Sequence, residues 1–203
     1  RLGVDHAGDL KTRRDARVGD GLGLAVADRR RDCDLVLRGL VAEREQLLLE
    51  TAMWLDDFCD LEAMLDCRKE FVFEDYRRDG KTPREVAEEI RAALPAGCDH
   101  CCPNMCETLE ETGVKVRFMK SQAADFFGLS VCEDKRGVAV AVNRSDDVPV
   151  ERQIFTAAHE FGHVLMHRSS FDSGELLEDL AQEKEANEFA GYFLMPPEQF
   201  EEV

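Results

Sequence analysis

The segment His159-Glu160-Phe161-Gly162-His163 sets two imidazoles four residues apart, with a carboxylate directly after the first. On a helix, residues four apart share a face and lie about 6 Å apart. Two such rings can converge on one zinc ion at ~2.0–2.1 Å. Glu160, one residue on, leans beside the site rather than completing it. There it can deprotonate a zinc-activated water, which makes it the candidate catalytic residue. A helix is expected independently. Pro149 can open it, and Phe155, His159, Gly162, His163 and Met166 form one stripe, so the histidines belong to the inward face. Gly162 between them lets another backbone come close.

A hydrolytic zinc site needs a third protein ligand and an open fourth position. His167 continues the same helix, but lies about 12 Å along the axis from His159 at 1.5 Å per residue. Glu185 sits on the row Ala181, Glu185, Phe189, Phe193. A carboxylate in an apolar row is costly without a positive partner, and zinc would supply one. Glu188 shares a row with Lys184 and Tyr192, where a solvated ion pair explains it. The expected metal set is therefore His159, His163 and Glu185, with Glu188 and His167 as alternatives. Asn187 and Asp179 are candidates to orient a histidine N–H. Tyr192, Tyr76 and His167 are candidates to donate to a tetrahedral oxyanion.

The elements that must position these residues can be read from periodicity. From about Leu35 to Leu65 apolar residues recur at helical spacings. Thr82 before Pro83, with Glu85 following, is a capping-box start for a helix to Leu94. Asn104 can cap a helix to about Thr112, with Gly113 as its stop. Val114, Val116 and Phe118 alternate with Lys115 and Arg117, which predicts a strand. Leu129–Cys132 and Val138–Val142 predict two more around Asp134–Gly137. A last helix is expected over about Leu176–Met195, stopped by Pro196-Pro197. The order predicts an α+β fold, a small three-stranded sheet packed with helices and preceded by a helical region. Three parts are expected: a poorly specified segment over 1–35, a helical linker region over 36–82, and the domain that carries the zinc site over 83–203.

The chain has 203 residues, 44% of them hydrophobic, enough for a core without disulfide staples. Its 26 basic and 43 acidic residues give a net charge of −17. That argues against direct nucleic-acid binding, which needs a basic footprint. No apolar run is long enough to span a membrane, and no signal peptide is visible. The eight cysteines fit a reducing compartment, so a cytoplasmic location is expected. Cys98-Asp-His-Cys101-Cys102, with Cys106 beyond, has partial metal-ligand spacing but no second half. A structural role for those thiols is the plainer reading. Residues 171–203 carry ten acidic groups and one basic, Lys184. That is a solvated face, or an attraction for a basic substrate.

Two separated segments carry a family resemblance. One runs from Glu151-Arg152-Gln153-Ile154-Phe155-Thr156-Ala157-Ala158 into His159–His163, with His167 after it. The other is Glu185-Ala186-Asn187-Glu188-Phe189-Ala190, leading to Leu194-Met195-Pro196. Upstream, Glu110–Gly113, Val114–Val116 and Gly128–Ser130 agree in order. Over about residues 85–203 the chain resembles the ImmA/IrrE family of zinc metallopeptidases. The resemblance implies a gluzincin-like core, one zinc ion per chain with Glu185 as third ligand, and endopeptidase activity. It implies a regulatory protein as substrate and partner, of the helix-turn-helix transcriptional repressor kind. The cysteine cluster at 98–106 departs from the family pattern. The contrasting expectation is a catalytically inactive zinc-containing regulatory binding module, which would act by docking alone.

Overall fold

The computed structural model describes residues 45–94, 104–121, 126–133, 136–168 and 179–197. The chain divides into two units, Arg1–Glu45 and Gln46–Val203, and the architecture below is that of the second. Residues 45–64 form helix α1. It is followed by α2 (Pro83–Ala93), α3 (Met105–Glu111), β1 (Lys115–Met119), β2 (Gly128–Glu133), β3 (Gly137–Asn143), α4 (Val150–Met166) and α5 (Leu180–Leu194). This is the expected α+β fold with a small three-stranded sheet. The expectations for residues 1–35 and for Cys98, Cys101 and Cys102 lie outside the described residues.

Local chemistry accounts for the element ends. Thr82 accepts from Glu85 N, and the Glu85 carboxylate reaches back to Thr82 N, closing the capping box with Pro83 in the first turn. Asn104 accepts from Glu107 N at the start of α3. α5 begins at Leu180, where the Asp179 side chain accepts from Ala181 N at 2.9 Å. Asp179 is therefore a cap, not a partner for a histidine.

The sheet order is β1-β3-β2, with β1 parallel and β2 antiparallel to β3. β3 is the centre, and Val138-Ala139-Val140-Ala141-Val142 is buried throughout. A strand covered on both faces reads as a continuous apolar run rather than an alternation. α4 lies against β2 and β3, and α5 lies across both α4 and α2. Phe161 of α4 meets Phe189 and Phe193 of α5 edge-on, at 6.2 and 5.9 Å between ring centroids. On its other side it meets Phe71 and Phe73, from the segment before α2.

Two glycines set how close these layers come. A Cβ on Gly128 would lie 2.4 Å from Thr156 Cγ2 and 3.4 Å from Glu160 Cγ, so β2 rests directly on the helix beside Glu160. A Cβ on Gly162 would lie 2.8 Å from Phe189 Cδ1 and 3.5 Å from Ala186 Cα, so α5 rests directly on α4 between the two histidines. Both close approaches depend on the missing side chain.

Candidate metal centre

α4 presents His159 and His163 on one face, and their Nε2 atoms lie 3.0 Å apart. The carboxylate that meets them belongs to Glu183, in the first turn of α5. Its Oε2 is 3.2 Å from His159 Nε2 and its Oε1 is 3.2 Å from His163 Nε2. Among the described residues, these three side chains form the group whose ligand atoms all fall within 4.8 Å of one another. Two imidazole nitrogens and a carboxylate oxygen, half-buried together, are a donor set that suits zinc.

Glu185, expected in this position, lies elsewhere. Arg78 grips it with both terminal nitrogens, at 2.5 and 2.7 Å, and His167 Nε2 stands 2.9 Å from its Oε2. The cation that makes a carboxylate tolerable on this row is thus a guanidinium from the segment before α2. The geometry of α5 gives the reason. Ala186 and Ala190 pack against α4, and Glu183 lies one turn before Ala186 on that face. Glu183 also shares a row with Asn187, whose Oδ1 is 3.1 Å from His159 Nδ1. Asn187 therefore stands where a partner orienting His159 was expected. Glu188 is exposed.

Glu160 is buried, at 8% exposure, and its Oε2 accepts from Ser130 Oγ at 2.8 Å. Ser130 thus turns its hydroxyl into the domain toward α4, rather than presenting it along the strand edge. Sequence reasoning did not find this link, because it joins a strand to a helix 30 positions apart. His167, buried at 6% exposure, places Nδ1 3.1 Å from His163 Nδ1. It therefore lies on the side of His163 away from Glu183. Tyr76 donates to Glu89 at 2.9 Å, and Arg84 lies over the Tyr192 ring.

Electrostatics follow the contacts. Hydrogen bonding to His159 and His163 holds the Glu183 carboxyl far below its usual range. Burial opposes a proton on His159. Hydrogen bonding to Glu183 and the charges of Glu160 and Glu183 outweigh it and raise the imidazole above its ordinary value. Arg78 is the main cause of the Glu185 shift, lowered to about 2. Burial lowers His167.

Residues 109–203 match the family described as the IrrE N-terminal-like domain, Peptidase_M78. That stretch of the chain is similar to the IrrE-like peptidase family. The match takes in the sheet, α4 and α5, and with them every residue of the histidine–glutamate cluster. The resemblance read from the sequence is thereby upheld at the level of family. An IrrE-like domain is a peptidase by class, so a protein or peptide is the class of substrate. Arg78 and α2 precede the matched stretch. No curated protein matches the chain. Among the described residues, no helix is long and apolar enough to cross a membrane.

Proposed function

We propose that the chain is a zinc-dependent endopeptidase whose ion is held by His159, His163 and Glu183, with Glu160 as general base. Glu183 takes the place first assigned to Glu185. One observation carries this reading: Glu183 brings one carboxylate oxygen to each of two facing imidazole nitrogens. Zinc, when bound, supplies a Lewis acid that acidifies a water and polarises the scissile carbonyl.

The chain's own residues supply the rest. Ser130 pins Glu160 Oε2, which leaves Oε1 to take the proton of the attacking water and return it to the leaving amine. Among the described residues β2 is an edge strand, paired with β3 on one side only. An extended substrate can add to it, with main-chain hydrogen bonds aligning the peptide over Glu160. A helix-turn-helix repressor is the proposed substrate. Such proteins are basic, and the net charge of −17 favours their approach.

The test combines metal analysis with cleavage. Wild type is expected to carry one zinc per chain, and His159→Ala and Glu183→Ala to lose it. Glu160→Gln is expected to keep zinc and lose cleavage of repressor proteins encoded beside the gene. Zinc retained by Glu183→Ala would refute the ligand set. A biological effect that survives Glu160→Gln would favour a docking module over an enzyme.

A further inference from the structure

The histidine cluster continues in single file away from the ligand atoms. His163 turns Nε2 toward Glu183 and Nδ1 toward His167 Nδ1. His167 turns its other nitrogen to Glu185 Oε2, and Arg78 holds both Glu185 oxygens. Arg78 Nε in turn donates to Lys81 O at 2.7 Å. The file thus runs from α4 through α5 to the turn before α2.

A contact between two ring Nδ1 atoms holds one hydrogen, and the far end of the file decides which ring carries it. A guanidinium only donates, so Glu185 is an ionised acceptor. It therefore takes a hydrogen from His167 Nε2. A neutral His167 with that hydrogen has a bare Nδ1, which accepts from His163 Nδ1–H. With a cation between Nε2 and Glu183 in place of the hydrogen that links them in the metal-free chain, His163 then keeps its lone pair on Nε2. Both histidine links donate away from the site, and Arg78 donates back to Glu185 from the far end.

We infer that His167, Glu185 and Arg78 are positioning residues that lock His163 into the Nδ1–H tautomer, the neutral form that can offer Nε2 to zinc. Asn187 Oδ1 does the same for His159 in a single step. Metal-bound histidines generally pass their second N–H to a carboxylate or carbonyl. Here an extra imidazole is inserted between the ligand and its carboxylate. This rests on the proposed function, in which His163 is a ligand.

Two measurements on the full chain test it. Long-range nitrogen–proton NMR of the zinc-loaded protein reads tautomers directly, and is expected to show His163 as Nδ1–H and His167 as Nε2–H. Competition with a chromophoric chelator reads the affinity for zinc alone. His167→Ala and Glu185→Ala are expected to weaken it roughly 10- to 100-fold. His167→Gln, whose carbonyl can accept from His163, is expected to recover most of the loss. Arg78→Lys is expected to recover less, because one ammonium cannot hold both carboxylate oxygens. A purely structural tie would lower the melting temperature and leave zinc affinity of the folded protein unchanged. Wild-type affinity in folded His167→Ala, or a proton found on His167 Nδ1, overturns the inference alone. If wild type binds no zinc, or His163→Ala binds it fully, the metal reading falls and takes this inference with it.

Discussion

Replacing Gly162 and Gly191 by alanine, one at a time, separates helix propensity from helix packing. Both glycines lie inside helices, where alanine is favoured by ~0.8–1.0 kcal/mol. A Cβ on Gly191 meets nothing within 4 Å. Gly191→Ala should therefore keep the whole gain and melt ~2–4 °C higher. A Cβ on Gly162 would stand 2.8 Å from Phe189 Cδ1, about 0.7 Å short of the ~3.5 Å at which carbon atoms rest. Phe189 is fully buried and stacked on Phe193, at 5.3 Å between centroids, so its ring has nowhere to retreat. Overpacking of this kind costs ~1–3 kcal/mol. The net effect of Gly162→Ala is then between zero and ~2 kcal/mol of destabilisation, or up to ~8 °C. The two variants should differ by ~1–3 kcal/mol in urea unfolding of the zinc-free protein. Any relief by tilting α5 also moves Glu183, about 9 Å along the axis from Phe189, where metal distances tolerate only ~0.2 Å. Zinc affinity should fall in Gly162→Ala and hold in Gly191→Ala. Equal stabilisation of both variants would refute the packing argument.

Other expected outcomes follow from single contacts. Ser130→Ala should cut the turnover number roughly 10- to 150-fold, since a hydrogen bond to a charged group contributes ~1.5–3 kcal/mol. Zinc content should not change, and an unaltered rate would mean that Glu160 is positioned by something else. Thr82→Ala removes the cap of α2 and should cost ~0.5–2 kcal/mol, read from urea midpoints. No loss there would show that the capping box contributes nothing. The pH dependence has a definite sign. In the zinc-free chain His159 is raised by Glu183, so their pairing stabilises fully below about pH 6.5 and is lost as pH rises through the raised value. Zinc needs the neutral ring, so its apparent affinity should fall as pH drops below that same value, with proton release on binding measurable by calorimetry in two buffers. Affinity that is flat from pH 8 to 5 would contradict this.

The most readable parts of the sequence were those whose causes are local. The spacing of His159 and His163, the start at Pro149 and the Thr82–Glu85 box each lie within a few residues, and the structure reproduces the elements they predict. β3 could be read because a doubly covered strand is apolar at every position. The choice between Glu183 and Glu185 was not local. Two residues apart on a helix, they point about 200° apart, and the apolar row favoured Glu185 only while no cation stood near it. Arg78 supplies that cation from 107 positions away, and nothing in the row announces it. The pairing of Glu183 with Asn187, four residues on, was the one available signal. The tie between Ser130 and Glu160 needed the close approach at Gly128, which only the packed sheet displays.

The reach of α2 has a practical result for anyone trimming the chain. The family match begins at residue 109, yet Val86 and Ile90 of α2 belong to the same buried cluster as Phe189 and Phe193. Arg91 closes the end of α5 by donating to Phe193 O at 2.6 Å. A fragment cut at the family boundary would bare a greasy flank on its last helix and free Glu185 from its guanidinium. Expression of such a piece should give an aggregating product, whereas a version starting near Gln46 keeps that flank covered.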